Sequence, residues 1–257
     1  MLKKKWGQHL LTNENVAKKI VNLIAEDLGK LDYVLELGPG RGALTRHLLD
    51  IENVPIYVWE VDPDMRGYLN KKLALPEERI FGGDFLDSSI FDIFGERKIG
   101  LIGNFPYNIS GAIIFKVLKE RNLFPIVTGM FQKEVAERLT AQEGSKTYGI
   151  SSVLTALCFK RTYHFTVNPG SFNPPPKVKS GVVELEALPD SIPAGRFETL
   201  ERVVRKAFHQ RRKKLKNTLK EELEMLGSSF QEEWSDKRPE EIPPEVYYRM
   251  AGVLEKS

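Results

Sequence analysis

The sequence predicts an α/β fold, a Rossmann-like sheet with mostly parallel strands, followed by a small α-helical region at the C-terminal end. Three observations carry this. From residue 33 to about 140, short apolar runs of strand length alternate with helix-like segments, the pattern of a parallel sheet covered on both faces. Two later strand-like segments, 163–167 and 182–187, have only the proline-rich stretch 168–176 between them, so an antiparallel hairpin is expected at that end of the sheet. After 188–195, which has the composition of a linker, the pattern is helical to the end. The expected domains are therefore 1–188 and 189–257.

The elements follow in order. Thr12 or Asn13 is suited to cap a helix whose apolar face is Val16, Ile20, Leu23 and Ile24. A strand at 33–37 runs into Gly38-Pro39-Gly40-Arg41-Gly42, and 43–49 reads as helix. A second strand at 56–61 ends before Asp62-Pro63, where proline suits the first turn of a helix. Short strands are expected near 79–81 and 98–102, then a helix at 110–119, a strand at 125–130 and a helix at 132–140.

Composition narrows the function classes. A hydrophobic content of 41% in 257 residues is enough for an ordinary core. No apolar run is long enough to span a bilayer, and the N-terminal charges are not followed by a signal-type apolar region, so a cytoplasmic protein is expected. The single cysteine, Cys158, excludes an intramolecular disulfide and a cysteine-built zinc cluster; no metal is expected, and a monomer is the default. The net charge of +3 is unevenly placed. Nine Lys/Arg and no acid fall between Arg202 and Lys220, and eight acids against two bases fall between Glu221 and Glu241. That asymmetry suits a basic face for a polyanion, with a solvated helix as the bland alternative. The later acids are expected to face solvent or a partner protein.

The glycine turn between a strand and a helix is the form of a nucleotide-type site, with Glu60 at the end of the next strand placed to accept ribose hydroxyls. By itself the pattern fits NAD or FAD as well as S-adenosylmethionine. Two details favour S-adenosylmethionine. The spacing is Gly-x-Gly-x-Gly, and Glu36 at the strand end suits a sulfonium or amino group but would repel a pyrophosphate. Asp84 after the third strand suits the exocyclic amine of a cofactor adenine, with Phe85 beside the ring; a turn aspartate is the other reading.

Asn104-Phe105-Pro106-Tyr107 after the fourth strand points to the chemistry. An adenine amine is a poor nucleophile because its lone pair is delocalised into the ring. Two acceptors on its N–H bonds, the Asn104 side-chain oxygen and the Phe105 carbonyl, would free that lone pair. Pro106 fixes the turn, and Tyr107 can stack on the base for about 1–3 kcal/mol. Alignment and electrostatic preorganisation then suffice.

These residues, with Lys4-Lys5-Trp6-Gly7-Gln8-His9-Leu10-Leu11, Gln132-Lys133-Glu134-Val135, Phe172-Asn173-Pro174-Pro175-Pro176-Lys177-Val178 and Phe208-His209-Gln210-Arg211-Arg212-Lys213, make the chain resemble the small-subunit ribosomal RNA adenine dimethyltransferases, the KsgA family, from Lys3 to about Leu219. The resemblance implies a class I methyltransferase sheet with a helical C-terminal domain that binds RNA. It implies dimethylation of two adjacent adenosines in the 3′-terminal hairpin of small-subunit rRNA within a pre-assembled subunit. It places cofactor contacts at His9, Leu11, Gly38, Glu60, Asp84 and Asn104, to which the residues themselves add Gly40 of the turn and Phe85. Asn104 and Tyr107 would hold the target base, with Phe172 stacking on its other side. Two positions depart from the family pattern, His9 for Asn and Phe105 for Leu.

For RNA, Lys4, Lys5, Arg205, Arg211, Arg212 and Lys213 are the expected phosphate contacts, giving affinity and salt dependence but little sequence choice. The apolar set Val203, Val204, Ala207, Phe208 and Leu215 in the same segment is expected to serve packing. The rival readings are methylation of large-subunit rRNA and a factor that works mainly by binding RNA. DNA methylation is disfavoured, since proline usually takes the second motif position there.

Overall fold

The computed structural model describes residues 9–189 and 192–255. The chain divides into two compact units: one of the described residues up to Ala136 together with Thr162–Ala187, the other of Glu137–Arg161 together with the described residues from Leu188. These units differ from the expected 1–188 and 189–257: the C-terminal stretch begins at Leu188, and the second unit also takes 137–161. The reason is packing: the helix at 150–158 buries Val153, Leu154 and Cys158 and packs against helices of the C-terminal region.

The first unit holds β1 (Leu10–Leu11), α1 (Glu14–Ala25), β2 (Tyr33–Leu37), α2 (Thr45–Leu48), β3 (Ile56–Trp59), α3 (Pro63–Leu73), β4 (Ile80–Phe81), α4 (Ile90–Phe94), β5 (Ile99–Asn104), α5 (Ser110–Lys119) and β6 (Ile126–Gln132). Along the chain follow α6 (Lys133–Leu139), then α7 (Ile150–Cys158), which belongs to the second unit, and β7 (Phe159–Val167), β8 (Phe172–Asn173) and β9 (Ser180–Ala187). The main sheet runs β4-β3-β2-β5-β6-β9-β7; β4 through β6 are parallel, and β9 runs antiparallel to β6 with Ser180 opposite Gln132. The chain lays strands outward from β2 through β3 and β4, then returns to place β5 on the other side of β2. This reversal is the switch point at which open α/β sheets bind ligands, beyond the carboxyl ends of their strands. Gly38 leaves β2 and Asn104 ends β5 at that crevice.

Local chemistry explains the elements. Asn13 caps α1 by accepting the Val16 N–H at 3.2 Å, and the helix buries Ala17, Ile20, Val21 and Ile24 against the strand residues Val34, Ile56, Ile102 and Met130. Asp62 caps α3, with Pro63 in its first turn. Full burial of each such aliphatic chain contributes about 1.5–3 kcal/mol. A separate two-stranded ribbon pairs β1 with β8, Leu10 opposite Asn173 and Leu11 opposite Phe172.

The second unit adds α8 (Ala194–His209), α9 (Leu215–Thr218), α10 (Lys220–Leu226), α11 (Ser228–Trp234) and α12 (Pro244–Leu254). Val203, Val204, Ala207 and Leu215 are buried, as the apolar set predicted. The phenols of Tyr148 and Tyr247 donate to the carbonyls of Ile242 and Pro239, at 2.9 and 3.0 Å, satisfying both hydroxyls inside this core. Arg161 serves the same purpose from its charged end, donating to the carbonyls of Leu139, Ala141 and Ser152.

Candidate active site

At the switch point a cavity of about 220 Å³ is lined by His9, Gly38, Gly40, Glu60, Asp84, Phe85, Asn104, Phe105, Pro106 and Tyr107, with Leu10, Leu37, Trp59, Val61, Gly83, Asn108 and Ile109. Ten of the sequence-predicted positions thus come together from five segments of the chain. A larger hollow of about 540 Å³ runs past Leu11, Thr12, Arg41, Arg46 and Tyr68 but includes none of the Asn104–Tyr107 motif.

The glycine turn is built for close approach rather than for anion capture. Gly40 has φ +55, and a Cβ there would lie 2.8 Å from Leu10 Cδ2. Its N–H donates to Glu60 Oε2 at 3.0 Å, the Gly38 N–H to the Trp59 carbonyl at 2.9 Å and the Gly42 N–H to the Pro39 carbonyl at 2.8 Å. None of these three glycines therefore has a free N–H group, and α2 begins only at Thr45 as a four-residue helix. A pyrophosphate needs such donors, so this turn disfavours NAD and FAD.

Two buried carboxylates flank the turn. Glu60 accepts the Gly40 and Asp62 N–H groups, one on each oxygen, and burial raises its pKa against the pull of those bonds. A carboxylate has about four acceptor positions, so Glu60 keeps capacity for a ribose hydroxyl. Glu36 is fully enclosed and accepts the Thr45 hydroxyl at 2.6 Å; burial first, and the nearby Glu60 charge second, push it up to about 8. Asp84 accepts the Leu86 N–H at 2.9 Å through Oδ1, so the turn role is present while the residue also lines the cavity. These features fit S-adenosylmethionine: a glycine surface a Cβ would fill, a ribose acceptor, and a buried acid awaiting positive charge.

Asn104 is held from outside the sheet. Its Nδ2 donates to the His9 main-chain carbonyl at 2.8 Å, which fixes the amide so that Oδ1 is its acceptor end. The His9 ring lies 5.6 Å from the Tyr107 ring, and Nδ1 donates to the Pro174 carbonyl at 2.9 Å. Asn at position 9 would share the main-chain carbonyl, so this departure from the family pattern leaves the Asn104 contact intact. Phe105 sends its ring into the core, 1% exposed and 5.0 Å from the Phe131 ring. Room for it comes from glycines: a Cβ on Gly103 would lie 2.9 Å from the ring, and one on Gly129 would collide with it.

Other expected residues fall elsewhere. Leu11 and Phe172 face one another across the β1–β8 ribbon as buried members of the core, 6% and 4% exposed, and line no part of the 220 Å³ cavity. The expectation that Phe172 stacks on the base is corrected: its ring is spent on packing. Lys4 and Lys5 lie outside the described residues. Arg205 pairs with Glu201 at 2.7 Å, and Arg211 donates to the Ser145 carbonyl at 3.3 Å and lies 3.7 Å from Glu240. Lys206 pairs with Glu222, and Lys214 and Lys216 share Asp236. Glu222, Asp236 and Glu240, among the acids expected to face solvent or a partner, thus turn back on the basic stretch. Arg212 and Lys213 are exposed and make no ion pair among the described residues.

Sequence reasoning missed Trp59, whose Nε1 donates to the Gly83 carbonyl at 3.0 Å and whose ring meets Phe85 edge-on at 5.5 Å, shaping the cavity beside Asp84. Its position immediately before Glu60 was the available signal. Thr45, which binds Glu36, carried none.

No described helix is long and apolar enough to cross a membrane, and no group of three or more described His, Cys, Asp or Glu side chains is placed to hold a metal ion.

Comparisons with known proteins agree with this geometry. The family described as "Ribosomal RNA adenine dimethylase" matches residues 1–247. A "Ribosomal RNA small subunit methyltransferase A" of Flavobacterium johnsoniae is 42% identical, covering 98% of this chain and 95% of its own, and one of Cytophaga hutchinsonii is 40% identical over 98% and 96%. Among solved structures, a dimethyladenosine transferase from Plasmodium falciparum superposes with a TM-score of 0.75 at 26% identity, covering 94% and 96% of the two chains. The 23S rRNA methyltransferase ErmE shares the fold, with a TM-score of 0.68 at 23% identity over 95% and 99%. With a cofactor-type turn, an oriented Asn104 and these matches over nearly its whole length, the chain belongs to the ribosomal RNA adenine dimethylase family.

Proposed function

We propose that this protein dimethylates the N6 amines of two adjacent adenosines in the 3′-terminal hairpin of small-subunit rRNA. It acts as a monomer in the cytoplasm, on RNA within a pre-assembled subunit. The orientation of Asn104 carries the reading. With Nδ2 committed to the His9 carbonyl, Oδ1 is left as an acceptor at the cavity wall, beside a ring that can take a flat base. S-adenosylmethionine, held by Glu60, Asp84 and the glycine turn, supplies when bound a methyl already activated on sulfur. The protein's own task is to hold the amine. Oδ1 of Asn104 and the carbonyl of Phe105 accept its two N–H bonds and draw the nitrogen towards tetrahedral geometry, localising the lone pair. Tyr107 stacks on the ring, and the water that base and cofactor displace on binding no longer weakens these dipoles. The proton of the methylated amine is acidic enough to pass to water, so no strong base is needed.

The small-subunit substrate is favoured by the names of the relatives at 40% identity and above. A target adenine must be unpaired or flipped to enter, which suits a hairpin loop. Incubation with undermethylated small and large subunits in parallel tests the choice. Transfer to small subunits alone is expected, and transfer to large subunits alone would overturn it. Asn104→Ala should abolish transfer while RNA binding persists; loss of both would refute separate binding and catalytic roles.

A further inference from the structure

Tyr107 is held at both ends. Its carbonyl accepts the Ser110 hydroxyl at 3.2 Å, and its phenol oxygen lies 2.6 Å from Ser180 Oγ. Pro106 restricts the backbone just before it. Ser180 is completely buried, opens β9 and sits opposite Gln132 on β6, a frame with no freedom to follow a moving ring. It does not line the cavity, whereas Tyr107 does. A tyrosine without a partner for its hydroxyl can rotate about two side-chain bonds. Here the hydroxyl is tied to a strand of the sheet, so the orientation of the ring is set before any base arrives.

We propose that Ser180 is a positioning residue for methyl transfer: through its hydrogen bond to the Tyr107 hydroxyl it fixes the plane of the ring against which the target adenine is held. The inference rests on the reading that Tyr107 contacts the base. Ser180 touches neither substrate nor cofactor and acts only through Tyr107. Burial raises the Tyr107 pKa, which keeps the phenol protonated and the hydrogen bond intact across the working pH range.

The test is a double-mutant cycle on the full-length protein with undermethylated small subunits. Ser180→Ala and Tyr107→Phe each delete the hydrogen bond from one end while keeping the ring. Each should lower kcat about five- to tenfold, the effect of one hydrogen bond, with the RNA KM and cofactor affinity unchanged and only a modest fall in thermal midpoint from the hydroxyl left unpaired. The double variant should be no slower than either single one. Tyr107→Ala removes the ring and should be slower than all three. Multiplying effects in the double variant, or full kcat in Ser180→Ala alongside an impaired Tyr107→Ala, would overturn the positioning role. Full activity in Tyr107→Ala would instead refute base contact by Tyr107, and the proposal with it. Should Ser180→Ala fail to fold, Tyr107→Phe against Tyr107→Ala still decides: wild-type kcat in Tyr107→Phe excludes a tether.

Discussion

Replacing Glu36 by Gln should make the protein more stable and less dependent on pH, at the expense of cofactor binding. Glu36 is enclosed at the end of β2, where burial raises its pKa from an ordinary 4.5 to about 8. The native state therefore keeps a proton on this group between those values while the unfolded chain has released it. Since native protein binds more protons than unfolded in that window, stability falls as pH rises through it. At 1.36 kcal/mol per unit, the group removes about 2 kcal/mol of stability between pH 6 and pH 8. Gln matches the protonated acid in shape, can still accept the Thr45 hydroxyl that Glu36 accepts, and does not titrate in this range. The assay is denaturant unfolding of both proteins, without cofactor, at pH 6 and pH 8. Wild type should lose about 2 kcal/mol more than Glu36→Gln, the titration of Glu60 and of Glu184 being common to both. A parallel pH dependence in the two proteins would refute the reasoning, because it would mean that Glu36 ionises normally in its enclosure. Cofactor binding at neutral pH should also release a proton in wild type and none in the variant, read as a buffer-dependent heat.

Further outcomes follow from the geometry. Gly129→Ala should destabilise by about 1–3 kcal/mol through overpacking against the Phe105 ring and should slow transfer by displacing the Phe105 carbonyl; adding Phe105→Leu should recover part of both, read by unfolding and kcat. Gly40→Ala should weaken cofactor binding measured by titration, since φ +55 and Leu10 both resist a Cβ. Removing Arg212 and Lys213 should lower the salt dependence of RNA binding by about one unit of slope per charge. Lys214→Ala and Lys216→Ala should do less, because Asp236, which these lysines hold down at about 2, already offsets one of their two charges; Asp236→Asn should tighten RNA binding.

What the sequence made legible was whatever is local. The strand ending at Leu37, the glycine turn, Glu60 and the Asn104 motif each announce themselves within a few residues, and the alternation of strands and helices puts all four at one sheet edge. What it hid depends on residues distant in the chain. Nothing near Asn104 shows that the His9 carbonyl, 95 positions away, takes its amide. Gly103 and Gly129 read as weak points in strands until the Phe105 ring is seen lying against both. Phe172 in a proline-rich loop has the composition of an exposed aromatic, yet pairing of β1 with β8 buries it beside Leu11. Charge runs show sign but not pairing, so the folding back of Glu222, Asp236 and Glu240 onto the basic stretch escaped composition. The same limit applies to 137–161, whose apolar face says that it packs but not with which unit. A truncation at 188, reasonable from sequence, would strip α7 of its contacts with α8 and α12.

The most direct test of adenine dimethylation is transfer from labelled S-adenosylmethionine to small ribosomal subunits that lack their adenine methylations, with the modified bases mapped. Label should appear as N6,N6-dimethyladenosine at two adjacent positions of the 3′-terminal hairpin, and not with Asn104→Ala. Absence of label there from wild-type protein that binds the cofactor, or label on another base, would contradict the account.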